Sequence, residues 1–93
     1  MKRQLRWTEE AATDLENIAN YLFQHAASRA ADLVTEVYKA PQALLTFPYR
    51  GRKGKKEGTR ELVLPFLPYI VVYQARGELI YIVRILHGAQ KWP

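Results

Sequence analysis

The 93-residue chain contains no cysteine, one methionine and only two histidines. Without cysteine there is no disulfide framework, no thiolate nucleophile and no cysteine-ligated zinc. The two histidines, His25 and His87, are too few for a histidine-rich metal site, so neither metal nor cofactor is expected. No apolar run approaches the ~18 residues that a membrane span requires. The opening MKRQLRWTEE lacks the apolar stretch of a signal peptide, which makes the cytoplasm the expected location. Phosphate-binding Walker loops, dinucleotide fingerprints, HExxH and the nucleophile-elbow pattern are all missing. What is present is ordinary for one small globular domain over residues 1–93: 48% hydrophobic and 25% charged residues.

The net charge of +5 is local. From Arg50 to Arg60 the chain reads RGRKGKKEGTR, with six basic residues and the single acid Glu57. Elsewhere eight basic and eight acidic residues cancel. The chain is therefore a neutral body carrying one basic, glycine-punctuated loop. Cations packed this closely repel one another, so the loop is expected to be mobile unless an anionic partner neutralises it. It serves either as a solvated loop that aids solubility or as an electrostatic contact. Arg50, Arg52, Lys53, Lys55, Lys56 and Arg60, with His87, Lys91 and Trp92 near the end, are the candidates for contacting a nucleic acid or an acidic protein. Gly51-Arg52-Lys53-Gly54 has the spacing of a GxxG backbone clamp. That clamp joins two helices, however, and this segment leads from a helix into a strand.

Residues Lys2 to Trp7 alternate as a first strand. Thr8 supplies an N-cap oxygen, and Glu9 and Glu10 fall in the first turn, where the helix dipole favours anions. Ala11, Leu15, Ile18, Ala19 and Leu22 then mark the apolar stripe of a helix ending near His25, while Asp14, Asn17 and Gln24 point elsewhere. Ser28 is expected to cap a second helix with the stripe Ala30, Val34, Val37 and Tyr38. Pro41 either kinks this helix or opens a short continuation through Leu44, Leu45 and Phe47. Pro48 and Gly51 stop it. Three strands follow, Glu61 to Leu64, Tyr69 to Ala75 and Leu79 to His87, separated by turns at Pro65–Pro68 and Arg76-Gly77. The fold class is α+β, in the order β-α-α-β-β-β, with an antiparallel sheet and a two-helix layer on one face.

The last strand does not alternate cleanly. One row carries Leu79, Tyr81, Val83 and Ile85, and the other Ile80, Ile82, Arg84 and Leu86. A sheet covered on one face only should be polar on the other. Two apolar rows point either to an uncovered apolar sheet face, open to a partner, or to helices that wrap further than expected.

For chemistry, His87 ends the last strand, and its ordinary pKa of ~6.5 suits proton transfer near neutrality. Glu57 or Glu61 with Arg60, Arg84 and His87 would supply the acid, base and cations that RNA cleavage by its own 2′-hydroxyl needs. A histidine hydrogen-bonded to a backbone carbonyl is the simpler alternative. Among aromatics able to stack on bases, Trp7 and Tyr73 are assigned to the core and Trp92 to a surface anchor, with Tyr49 and Tyr69 left open.

Together, Ala12 to Leu22, Gly58-Thr59-Arg60-Glu61-Leu62, Pro68 to Tyr73 and Arg84-Ile85-Leu86-His87-Gly88 resemble the ParE branch of the RelE/ParE toxins of type II toxin–antitoxin modules. The resemblance spans nearly the whole chain and rests on the order and spacing of these segments. It implies one of two activities. RelE-like members cleave ribosome-bound mRNA with sheet cations and a C-terminal tyrosine. Here the corresponding cation positions fall on Glu61, Val63, Ile70 and Gln90. YoeB-like members use a loop glutamate and a C-terminal histidine, which Glu57 and His87 match loosely. ParE-like members lack ribonuclease residues and poison DNA gyrase, and this chain resembles them best. The resemblance also implies a cognate antitoxin, with an acidic C-terminal segment and a DNA-binding N-terminal part. Leu15, Leu22, Tyr73 and Ile82 are expected in or under the surface that this segment covers.

Overall fold

The structure, a computed structural model, describes residues 2–88. Strand β1 (Gln4–Trp7) leads into helix α1 (Glu9–His25), helix α2 (Ala27–Lys39) and a 3₁₀ segment (Ala40–Leu45). Strands β2 (Arg52–Lys53), β3 (Arg60–Val63), β4 (Tyr69–Arg76) and β5 (Leu79–His87) follow. The sheet order is β1-β5-β4-β3-β2. The β3-β4-β5 meander is antiparallel, as the turn signals predict. β1 instead pairs parallel to β5, with Leu5 opposite Ile80 and Trp7 opposite Ile82, so the sheet is mixed. The two-helix crossover between β1 and the later strands permits that parallel pairing, which no hairpin could make.

Thr8 caps α1: its Oγ1 accepts from the Ala11 N–H at 3.1 Å. The same hydroxyl donates to the Val83 carbonyl at 2.9 Å, and the Thr8 N–H reaches the Ile82 carbonyl at 3.0 Å. One residue thus starts the helix and fixes it to β5. The stripe on α1 packs as expected, with Ala11 and Leu22 buried and Leu15 and Ile18 lying against the core. Ser28 does not cap α2. Helix α2 starts at Ala27, and Ala26 alone separates it from α1, its N–H closing on the Leu22 carbonyl. Ser28 falls inside the first turn because so tight a corner leaves no extended residue to act as a cap. Pro41 takes the second of the two expected roles, opening the 3₁₀ segment and carrying Leu44 into the core.

The apolar pattern of β5 has a local cause. Tyr73 pairs with Ile82 while Val72 pairs with Arg84, so Val83 is the extra residue of a β-bulge. The bulge shifts the phase of the strand. Ile80 and Ile82 before it and Ile85 after it all join one core with Val71, Tyr73, Val37 and Leu44. The two rows therefore exchange faces at the bulge: Leu79, Tyr81, Arg84 and Leu86 share the face opposite this core, and among the described residues of β5 no large apolar side chain is left fully exposed on it. Val72 and Leu86 are buried as well. Among the described residues, the exposed large apolar side chains are Tyr21, Phe23 and Tyr38 on the helices, and Phe47, Tyr49, Val63 and Phe66 beyond them.

The basic segment is equally organised. Arg52 and Lys53 pair with Glu61 and Arg60, and the Gly54 N–H donates to the Thr59 carbonyl at 2.8 Å. Gly54 is needed there because a Cβ would collide with the Thr59 hydroxyl, and Gly58 turns the chain at φ +83°. A short hairpin replaces the mobile loop expected from charge repulsion, because its backbone bonds and turn glycines hold it closed. Its inner end is fastened by Tyr73, which is fully buried. The Tyr73 hydroxyl donates to the Pro48 carbonyl at 2.8 Å and accepts from the Gly51 N–H at 2.9 Å. Gly51 leaves room for the ring, since a Cβ would stand 2.7 Å from it.

Burial raises the Tyr73 pKa above its ordinary value. The folded state therefore resists ionisation, and its stability is intact below pH ~10 and falls as pH rises above it. Tyr73→Phe is expected to cost about 1–2 kcal/mol at pH 8, since it orphans the buried Gly51 N–H and the partly buried Pro48 carbonyl. It should also reduce the alkaline loss of stability, with urea midpoints at pH 8 and above pH 10 reading both effects.

Candidate functional site

Two of the residues proposed for chemistry, Arg84 and His87, lie on the end of β5 that β1 does not cover. β1 pairs only as far as Ile82, so the strand beyond has an open edge whose backbone groups need partners. Thr8 takes the Val83 carbonyl. Asp14 of α1 takes the next donor, with its Oδ2 accepting from the Ile85 N–H at 2.9 Å. The same carboxylate binds Arg84 through both oxygens, Nε to Oδ2 at 2.7 Å and an η nitrogen to Oδ1 at 3.0 Å. Glu10 stands 3.9 Å from the Arg84 guanidinium. The bond to Asp14 raises the Arg84 pKa still further, so this cation is fixed in place and unavailable as an acid. Asp14 is the residue the sequence pattern missed. Its only signal was an acid adjoining the apolar stripe between Ala11 and Leu15.

His87 lies past this latch, exposed, with its ring edge-to-face against Tyr69 at 6.0 Å. A groove of about 430 Å³ runs beside it, lined by Asp14, Asn17, Ile18, Tyr21, Tyr69, Ile85 and His87. Burial and the neighbouring Tyr21 raise the Tyr69 pKa, which keeps its hydroxyl neutral.

The remaining candidates are elsewhere. Arg60 pairs with Tyr73, whereas His87 pairs with Tyr69, four residues along β4 and two strands across. At strand rise and spacing this puts the Arg60 and His87 backbones roughly 16 Å apart. Glu57 is exposed in the hairpin turn, beyond Arg60 and further still from His87. Arg60 itself donates to the Gly51 carbonyl at 2.8 Å and stands over the Tyr49 ring at 5.0 Å. Glu61 is buried and accepts from Arg52 at 2.9 Å. The set Glu57, Arg60, Arg84 and His87 is therefore not assembled into one site. Two strand ends and a helix latch hold its members apart.

The four residues expected at a docking surface are set deep. Tyr73 and Ile82 are fully buried and Leu22 is buried, so they lie beneath any surface, and only Leu15 is half-buried. Of the basic candidates, Arg50, Lys53, Lys55 and Lys56 are exposed, while Arg52 is paired to Glu61. Lys91 and Trp92 lie outside the described residues. No group of three or more possible metal ligands occurs among the described residues, and no described helix is long and apolar enough to cross a membrane.

Residues 5–92 match the family model of the ParE toxin of type II toxin–antitoxin systems. The chain belongs to the ParE toxin family. A Sinorhizobium fredii protein named as a candidate toxin, Y4kP, is 35% identical over 92 residues, covering 99% of this chain and 95% of that protein. Toxin RelE2 of Caulobacter vibrioides is 32% identical over 87 residues, with 94% and 97% covered. The chromosomal ParDE toxin–antitoxin system of P. aeruginosa contains a chain of the same fold. That chain is 26% identical at a TM-score of 0.85, covering 91% of this chain and 95% of that one.

Within this ParE-family fold the Asp14 latch is structural. Asp14→Ala leaves the Ile85 N–H and a partly buried guanidinium without their acceptor, and is expected to cost about 2–3 kcal/mol by urea denaturation. In a double-mutant cycle, Arg84→Met should lose most of its own effect once Asp14 is gone.

Proposed function

We propose that this ParE-family toxin arrests growth by binding DNA gyrase, not by cutting RNA, and that a cognate antitoxin neutralises it. The observation that carries this reading is the dispersal of the acid–base candidates. General acid–base catalysis needs its groups within hydrogen-bond reach of one reacting site. Arg84 is committed to Asp14, Arg60 to a backbone carbonyl, and Glu57 and His87 belong to opposite ends of the sheet. The position matching the RelE-like sheet arginine is Ile70, which cannot stabilise phosphorane charge. A non-enzymatic inhibitor needs none of these groups to converge.

The runner-up is a ribosome-dependent mRNA endonuclease, and one feature favours it: His87 beside Tyr69 on a groove that Asp14 also lines. In either case the antitoxin segment is proposed to be acidic where it meets the basic hairpin. Its apolar residues would find the exposed Tyr21 of α1, beside the groove that Ile18, Tyr69 and Ile85 line, with Leu15 and Leu22 on the buried side of the helix.

Purified toxin is expected to inhibit supercoiling by gyrase and to leave ribosome-bound message intact. His87→Ala, at an exposed position, should inhibit as well as the parent protein. Unimpaired supercoiling at excess toxin, together with message cleavage that His87→Ala abolishes, would establish the ribonuclease reading instead.

A further inference from the structure

The sequence TFPYR at residues 46–50 forms neither helix nor strand after Leu45, yet it presents two large rings to solvent. Phe47 is 59% and Tyr49 68% exposed, with Pro48 between them. Burying such rings in a core would be favourable, so their exposure in so small a protein calls for an explanation. The segment Thr46–Arg50 lines a concavity of about 530 Å³ whose walls are almost entirely apolar. Its geometry is fixed from behind, because the Tyr73 hydroxyl holds the Pro48 carbonyl and the Gly51 N–H.

The concavity opens directly onto the basic hairpin. Arg60 stands over the Tyr49 ring at 5.0 Å and donates to the Gly51 carbonyl. Arg50, at the rim, is followed by Lys53, Lys55 and Lys56, all exposed. The hairpin turn has a concavity of its own, about 370 Å³, lined by Lys53 to Arg60. Aromatic faces and a run of cations thus adjoin on one continuous surface that carries the whole net charge of the chain.

We infer that Phe47, Tyr49 and the Arg50–Arg60 hairpin form a binding platform for single-stranded DNA. Bases stack on the two rings and the hairpin cations follow the phosphates. A duplex keeps its base faces stacked internally and offers nothing to Phe47 and Tyr49. An acidic peptide without aromatic residues satisfies the cations but brings no flat ring to the aromatic pair. The apolar walls favour thymine, whose methyl group gains contact there. The lining carries no carboxylate and only the Thr46 and Tyr49 hydroxyls, which gives little with which to select a ribose 2′-hydroxyl. The platform needs no gyrase, so it stands or falls independently of the target proposed above.

The test is fluorescence anisotropy with the whole toxin and labelled 12-nucleotide dT, in the absence of any other protein. Binding is expected, and tighter than to a 12-base-pair duplex, to rU of the same length or to polyglutamate of matching charge. Phe47→Ala and Tyr49→Ala should each weaken it by about 5- to 150-fold. Both rings are exposed, so these variants should keep the parent melting temperature, which is measured alongside. Replacing Lys53, Lys55 and Lys56 by serine should lower the log–log salt slope by roughly 2. No binding of dT, or binding that survives loss of both rings, would overturn the platform. Tighter binding of duplex, rU or polyglutamate would overturn it in favour of that ligand.

Discussion

One carboxylate fastens the free half of β5 to α1. Asp14 accepts from the Ile85 N–H and from Arg84 at once, closing the edge of β5 that β1 leaves open. β5 is the strand on which β1 and β4 both pair and against which α1 packs, so fixing its free half fixes α1 as well. An ion pair this near the surface contributes modestly as a charge pair alone. Its weight comes from the backbone donor it also satisfies, which would otherwise be left without a partner beneath a helix. The Val83 bulge lies just before this point and brings Ile85 back to the core face.

That arrangement decides what the charged residues can do. Three cations proposed from the sequence for catalysis or binding act here as struts. Arg84 ties strand to helix, Arg60 ties the hairpin to Gly51, and Arg52 neutralises the buried Glu61. The exposed lysines of the basic segment, Lys53, Lys55 and Lys56, sit on a hairpin far along the sheet from His87. The proposed reading, recognition of a partner across the surface in place of acid–base chemistry at a point, rests on this arrangement.

Much of the fold was legible because its signals are local. The Thr8 cap, the α1 stripe and the turns at Pro65–Pro68 and Arg76-Gly77 are each written within a few residues. What was not legible depends on long-range pairing. The parallel partner of β1 is set by tertiary packing, and nothing in Lys2 to Trp7 names it. The bulge exchanges the two rows between the faces of the sheet, whereas alternation read along a strand assumes that its phase never changes. In the basic segment the charge density masked the hairpin that Gly54 and Gly58 permit. Asp14 read as one more solvated acid, because its partners lie about 70 residues away in the chain. For the same reason the grouping of Glu57 with His87 was suggested by residue type and undone by geometry.

The fold sets the distance between the hairpin acid Glu57 and His87 at the end of β5. The absence of cysteine makes it directly measurable. Spin labels on Glu57→Cys and His87→Cys, read by pulsed electron–electron double resonance, give their separation in the free toxin and in its antitoxin complex. Strand geometry places the two backbones roughly 20 Å or more apart, and a narrow distribution at or above that distance in both states is the expected result. A population near hydrogen-bonding range, too close for the method and visible as dipolar broadening, would contradict the account.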